Sequence, residues 1–122
     1  MKRILVIDDD EQVRALVVEI LGRAGYEVVE AENGALGLKS YRARPTDLVL
    51  TDLIMPEKEG METIVALRKE FPGVRIIAMS GGGRNCAGDY LSVAAKLGAA
   101  RTLAKPFSRQ DVLDAVRDTL DG

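Results

Sequence analysis

The chain has 122 residues, of which 47% are hydrophobic and 30% are charged, and its formal net charge is −2. A single globular domain with a substantial core fits this length and composition. Both signs of charge are spread along the chain, which argues against a nucleic-acid partner, and no apolar run approaches the ~18 residues of a membrane helix.

Two further features of the sequence exclude some kinds of site and of targeting segment. The chain has no histidine and a single cysteine, Cys86, so it has no internal disulfide and no Cys–His catalytic pair, and a zinc site is not expected. The basic start is followed by only four apolar residues before acids interrupt them, which is too short a run for a signal peptide. We therefore expect a cytoplasmic protein that contacts neither a membrane nor nucleic acid directly.

The predicted elements alternate between strand and helix along the chain. Residues 3–7 form an apolar run typical of a strand buried on both faces, and the apolar residues of 11–25, Leu16 among them, recur at helical spacing. Short apolar strands separated by helices predict a parallel sheet with helices on both faces. The remaining strands are predicted at 26–31, 47–52, 74–80 and 100–106, and the remaining helices at 32–44, 61–71, within 81–99 and at 108–120.

Local signals mark the ends of two helices. Asp10 is placed to cap the first helix, and Gly25 is placed to close it. Ser108, with Asp111 three residues later, has the pattern of a capping box for the last helix.

Polar side chains follow the predicted strands at the points where they end. The first strand runs into three acids at 8–10, the third ends in Asp52, the fourth ends in Ser80 and the fifth ends in Lys105. Because the carboxyl ends of parallel strands meet at one edge of a sheet, we expect these groups to share a pocket. Clustered carboxylates repel one another unless a cation lies among them, and oxygen ligands suit Mg2+. An aspartate beside Mg2+, a hydroxyl and a lysine can accept a phosphoryl group.

At these residues the chain resembles the receiver domains of two-component response regulators. The resemblance rests on the acids after the first strand, TDLIMP around Asp52, MSG at Ser80 and LAKPF at Lys105, and it covers essentially the whole chain. It implies a flavodoxin-like, doubly wound α/β fold with five helices and a five-stranded parallel sheet in the order 2-1-3-4-5. It also implies a single receiver domain over residues 1–122, similar to the stand-alone chemotaxis regulators.

The resemblance implies a role for each acid. Asp52 is expected to be the phosphoacceptor and to share in binding Mg2+. Asp9 is expected to bind Mg2+ directly and Asp8 through water, while the backbone carbonyl of Ile54 completes the protein's ligands. Asp10 is not needed for this set, and capping of the first helix accounts for it.

The resemblance also implies how the signal enters and leaves. Ser80 is the switch hydroxyl and Lys105 binds the phosphoryl group or pairs with Asp52 before phosphorylation. The donor is a histidine kinase or a phosphotransfer protein, and the output is a protein target or an output domain absent from this chain. Such a domain is a signalling phosphoacceptor that assists its own phosphorylation and dephosphorylation, and it is not a conventional enzyme.

Two departures from the family pattern stand out. Thr102 lies three residues before Lys105, where the family often has a tyrosine or phenylalanine, so an aromatic switch is not expected there. Three consecutive glycines at 81–83 follow Ser80 and give the backbone unusual freedom, so we expect a mobile loop that phosphorylation orders.

Two other hypotheses remain open on the residues. Asp8 and Asp10 form an Asp-x-Asp pair after the first strand, similar to the haloacid-dehalogenase phosphatases, in which the first acid is a nucleophile and the second an acid–base group. The other is an adaptor that has the receiver fold and works without phosphorylation.

Overall fold

A computed structural model describes residues 1–53, 59–80, 98–104 and 107–121 of the chain. Within these ranges, no helix is long and apolar enough to cross a membrane. The strands are β1 (Arg3–Ile7), β2 (Glu27–Ala31), β3 (Leu48–Asp52), β4 (Ile76–Ser80) and β5 (Arg101–Ala104). The helices in the described ranges are α1 (Glu11–Arg23), α2 (Gly34–Ala43), α3 (Glu59–Glu70) and α4 (Arg109–Asp121).

The five strands form one sheet in the order β2-β1-β3-β4-β5, and every neighbouring pair is parallel. The predicted flavodoxin-like order is therefore confirmed. The order reverses at β1, since the chain first moves outward to β2 and then returns past β1 to β3. Ligands of open α/β sheets bind beyond the carboxyl ends of the strands at such a reversal.

Side chains alternate across the sheet and build two cores. Ile4 and Val6 of β1 face one side, while Leu5 and Ile7 face the other, and all four are fully buried. The first core packs the sheet against α1 and α4, and the second packs it against α2 and α3. Burial on both faces explains why the three central strands, β1, β3 and β4, read as continuous apolar runs in the sequence, whereas the edge strands β2 and β5 are largely exposed or half-buried.

The predicted ends of α1 are confirmed. The Asp10 carboxylate accepts hydrogen bonds from the backbone N–H groups of Gln12 at 2.9 Å and Val13 at 3.2 Å. At the other end, Gly25 has a φ of 98°, a left-handed conformation that favours glycine. Leu16 lies in α1, as its helical spacing predicted, but it is 50% exposed, because it lies at the edge of the face that α1 buries.

The second helix begins later than predicted. Asn33 is its N-cap, with the side-chain oxygen accepting from Leu36 N–H at 2.8 Å, so residues 32–33 lie outside the helix. Gly37 then lets α2 approach β1 closely, because a Cβ atom there would lie 2.3 Å from Ile7 Cδ1. This contact packs α2 beside the residue that precedes Asp8.

The last helix begins with the predicted capping box. Asp111 N–H donates to Ser108 Oγ at 3.0 Å, and Ser108 N–H donates to the Asp111 carboxylate at 3.0 Å. The helix predicted within 81–99 and the glycine loop before it fall on residues 81–97, which lie outside the described residues.

Candidate functional site

Three carboxylates converge at the carboxyl end of the sheet. Asp8, Asp9 and Asp52 each place a carboxylate oxygen within 4.8 Å of the other two. Asp8 is fully buried and Asp52 is 3% exposed, whereas Asp9 faces solvent. The sheet register explains the convergence, since Ile7 of β1 lies opposite Thr51 of β3, and Asp8 and Asp52 follow these two residues.

This grouping has a clear electrostatic consequence. Two unit charges at this separation repel by on the order of 3 kcal/mol at an effective dielectric constant of about 20. Three oxygen donors, two of them shielded from water, therefore fit a hard divalent cation that removes this repulsion. The described residues can hold a metal ion of the kind that the sequence predicted.

The loop between β1 and α1 is held by hydrogen bonds at Asp8 and at Asp10. Asp8 N–H continues the strand pairing by donating to Ala31 C=O at 3.2 Å, and the Asp8 carboxylate accepts from Asp10 N–H at 2.9 Å. The carboxylate of Asp10 is turned toward the first turn of α1 as its cap. Asp10 is therefore separated from the group of three acids, as the sequence predicted.

The structure adds one residue that the sequence reasoning missed. Arg14, in the first turns of α1, donates from Nη1 to the backbone carbonyl of Asp8 at 2.7 Å and from Nε to the Glu30 carboxylate at 3.1 Å. Its side chain is only 15% exposed. The available signal was its position four residues after Asp10, because helical side chains lean back toward the N-terminus of their helix.

The remaining predicted site residues are described only in part. The backbone of Ser80 ends β4, one residue beyond the level at which Asp52 pairs with Met79, and it lies opposite Ala104 of β5. Ala104 directly precedes Lys105 in the chain. Lys105 and Ile54 lie outside the described residues, so their predicted roles are not tested.

Two other polar residues of the sheet and its loops are exposed. Glu32, which follows β2, faces solvent and is not part of the group of three carboxylates. Thr102 of β5, which stands in place of an aromatic residue, is also exposed. Next to it, Leu103 is buried in the core that α1 and α4 cover.

Comparisons with known proteins agree with this geometry. Residues 4–117 match the family model of the response regulator receiver domain. The chemotaxis protein CheY of Bacillus subtilis is 36% identical over 120 residues, which is 98% of each chain. The DNA-binding transcriptional regulator NtrC of Azospirillum brasilense is 33% identical over 97% of this chain but only 24% of NtrC. The crystal structure of a response regulator receiver domain protein from Clostridium thermocellum superposes with a TM-score of 0.89 at 30% identity, covering 99% of this chain and 95% of that chain.

The chain therefore belongs to the response regulator receiver domain family. It is a phosphoacceptor domain of two-component signalling systems, and its acidic pocket of Asp8, Asp9 and Asp52 fits the phosphorylation site of such a domain. The relatives show that this module occurs as nearly the whole of one protein and as about a quarter of another.

Proposed function

We propose that Asp52 is the residue that accepts the phosphoryl group, with Mg2+ bound among Asp8, Asp9 and Asp52. The convergence of these three carboxylates within 4.8 Å carries the proposal. Mg2+ supplies positive charge that offsets the charge of the acids and of the incoming phosphoryl oxygens.

The position of Asp52 in the sheet favours it over the other two acids as the nucleophile. It ends β3, which lies between β1 and β4, so the acids of the first loop are on one side and Ser80 is on the other. Asp8 and Asp9 lie on the β1 side alone. Among the three, only Asp52 is flanked by both the metal-binding acids and the strand that ends in the proposed switch hydroxyl.

The reaction is a phosphoryl transfer to a carboxylate. A carboxylate oxygen of Asp52 forms a bond to phosphorus while the bond from phosphorus to the donor atom breaks, and its electron pair leaves with the donor. The product is an acyl phosphate on Asp52. The fold holds this carboxylate at 3% exposure, which limits the side-chain entropy lost when it attacks phosphorus.

Three further roles follow from the family and from chain position. The Ile54 carbonyl adds an oxygen ligand to Mg2+, Lys105 offsets charge on the phosphoryl oxygens, and the Ser80 hydroxyl donates to one of them. For Ser80 and Lys105 the support is that Ser80 lies opposite Ala104, which directly precedes Lys105 in the chain.

We also propose the setting in which the domain works. The receiver domain extends over residues 1–122, beyond the matched 4–117, because α4 runs to Asp121. The phosphoryl donor is a histidine kinase or a phosphotransfer protein, and the location is the cytoplasm. The output is a protein target or an attached output domain, and the domain assists its own dephosphorylation.

Intact-mass measurement after incubation with acetyl phosphate and Mg2+ tests the site directly. The native chain should gain one phosphoryl group, EDTA should prevent the gain, and Asp52→Asn should show none. An equal gain of mass in the native chain and in Asp52→Asn would contradict the assignment of Asp52 as the acceptor.

Asp10→Asn is the matched control. Asparagine caps a helix as well as aspartate does, so the fold should be retained. The receiver mechanism predicts normal phosphorylation of this variant, whereas a dehalogenase-type phosphatase that uses Asp10 as its acid–base group would lose its turnover. The hydrogen bonds from Gln12 and Val13 to Asp10 favour the first outcome.

A further inference from the structure

Arg14 and Glu30 form a brace beside the acidic pocket that neither phosphoryl chemistry nor metal coordination uses directly. Arg14 joins three elements, since it belongs to α1, bonds the backbone of Asp8 after β1 and bonds Glu30 on β2. Both hydrogen bonds involve a charged donor, and such bonds are stronger than neutral ones. We propose that Arg14, held by Glu30, is a positioning residue that sets the backbone of the Mg2+-binding loop.

The bond to the Asp8 carbonyl acts on Asp9 through the planarity of the peptide. The Asp8 C=O and the Asp9 N–H belong to one rigid peptide unit, so Arg14 fixes the plane that leads into Asp9. The following peptide is held as well, because Asp10 N–H donates to the Asp8 carboxylate at 2.9 Å. Both peptide planes that flank Asp9 are therefore fixed, although its side chain is exposed.

Glu30, the partner of Arg14, holds the guanidinium group in its orientation. Glu30 is exposed on β2 and lies opposite Val6 of β1, so it is anchored to the same pair of strands as Asp8. Its carboxylate takes the Nε–H of Arg14, which leaves Nη1 directed to the Asp8 carbonyl. A lysine cannot reproduce this, because a single ammonium group lacks the planar fork of a guanidinium.

The charge of Arg14 and its positioning role predict opposite changes in Mg2+ affinity when Arg14 is replaced, so the two can be distinguished. Arg14 carries a positive charge near a site for a divalent cation, so its removal should tighten Mg2+ binding if charge were its only effect. Loss of a residue that orients metal ligands weakens metal binding by roughly tenfold or more. The sign of the change in Mg2+ affinity therefore separates the two effects.

The experiment measures the Kd of Mg2+ by calorimetry for the native chain, Arg14→Gln and Arg14→Lys. We expect the Kd to rise roughly tenfold in Arg14→Gln, and Arg14→Lys to fall short of the native affinity although its charge is kept. Arg23→Gln is the matched control: Arg23 is also on α1 and pairs with Glu19 at 3.0 Å, but it is exposed and contacts no part of the loop. Its Kd should not change.

Two further measurements distinguish a local effect on the loop from a general loss of stability. In the absence of metal, the backbone amides of Asp9 and Asp10 should exchange faster in Arg14→Gln while the amides of β3 keep their protection. The Mg2+ concentration for half-maximal phosphorylation by acetyl phosphate should rise, with the rate at saturating Mg2+ unchanged. Glu30→Gln should shift each measurement in the same direction as Arg14→Gln. The variant that combines both substitutions should bind Mg2+ no more weakly than Arg14→Gln alone.

The inference rests on the proposed Mg2+ site, and the outcomes separate the two. If the native chain binds no Mg2+, both the proposed site and the brace are overturned. If the native chain binds Mg2+ and Arg14→Gln binds it equally or more tightly, only the role of Arg14 is overturned.

Discussion

Carboxylates have different surroundings in the acidic pocket and on the surface between α2 and α3. In the pocket, Asp8 and Asp52 are buried beside a third carboxylate. On the α2–α3 surface, the Glu70 carboxylate accepts from Nε of Arg42 at 2.9 Å and also from Nη2, so a charged fork meets a carboxylate in solvent. The first region brings three carboxylates together, and the second pairs a carboxylate with a guanidinium.

The difference shows what each region is built for. An exposed ion pair contributes little to stability, and the fold does not depend on it. Carboxylates held within 4.8 Å of one another repel, and a divalent cation bound among them would offset that repulsion. The pocket is therefore suited to a divalent cation, whereas the Arg42–Glu70 pair links two helices.

Binding of Mg2+ should change the free energy of unfolding more than any of the substitutions below. It acts on the pocket and should leave the α2–α3 surface unchanged. At a Mg2+ concentration 100 times the Kd, the free energy of unfolding should rise by about 2.7 kcal/mol. Chemical denaturation of the native chain with Mg2+ and with EDTA measures this rise, which Asp9→Asn should largely lose.

Glu32→Gln is the control for that measurement. Glu32 is an exposed acid at the same end of the sheet but outside the group of three carboxylates. This variant should keep the full response to Mg2+. An equal loss in Glu32→Gln and Asp9→Asn would mean that general negative charge, and not the pocket, attracts the ion.

Gly37→Ala should have an intermediate effect, since α2 connects the two regions. The new Cβ atom would lie 2.3 Å from Ile7 Cδ1, and Ile7 is fully buried next to Asp8. Overpacking of this kind outweighs the helical preference for alanine, so we expect the free energy of unfolding to fall by about 1 kcal/mol.

Gly22→Ala is the matched control on α1. Apart from its chain neighbours and the backbone of its own helix, no heavy atom of the described residues lies within 4 Å of the position that its Cβ would take, so alanine should raise the free energy of unfolding by about 0.5–1 kcal/mol. Urea denaturation of both variants measures the two signs. Destabilisation in both would show that backbone conformation, not contact with Ile7, makes glycine necessary in these helices.

Of the three main changes, Glu70→Gln should have the smallest effect on stability, and this effect should depend on pH. The hydrogen bond from Arg42 holds the pKa of Glu70 below its ordinary value of 4.5. A carboxylate with a lowered pKa in the folded state stabilises the fold above its unfolded pKa and loses this effect as the pH falls through the folded value. We expect Glu70→Gln to lower the Tm by about 2 °C at pH 7, and the difference should shrink steadily below pH 4.5.

Glu19→Gln is the control for this pair. Glu19 pairs with Arg23 within α1 through one contact of 3.0 Å, and both side chains are more than half exposed. Its replacement should change the Tm less than that of Glu70. A Glu70 effect that persists unchanged at acid pH would mean that packing, and not charge, links α2 to α3.

Much of the fold followed from patterns within single elements. The caps at Asp10 and Ser108 and the glycine at position 25 were read from local residue types, and the structure confirmed each of them. The alternation of apolar strands with helices was sufficient to predict the parallel sheet. The boundary was less accurate at β4, which begins at Ile76 and not at 74, because Val74 is an apolar, buried residue just before the strand and looks like part of it.

The candidate site was predictable only as a set of residue types at strand ends. Four strand ends with suitable chemistry pointed to one pocket, and the register of β1 against β3 brings three of the predicted carboxylates together. Arg14 was missed because its contacts join residues that are 6 and 16 positions away in the chain. Neither separation corresponds to the repeat of a helix or a strand, so no sequence pattern indicates these contacts.

The sequence by itself determined which residues form strands and helices, where two helices are capped and which acids follow the strands, because these depend on neighbours within a few positions. Only the tertiary structure decided that Asp8 and Asp52 are buried while Asp9 is exposed, that Leu16 is left in solvent and that Arg14 spans from α1 to β2. Burial and long-range hydrogen bonds arise when separate elements pack, so they are properties of the packed sheet and its helices.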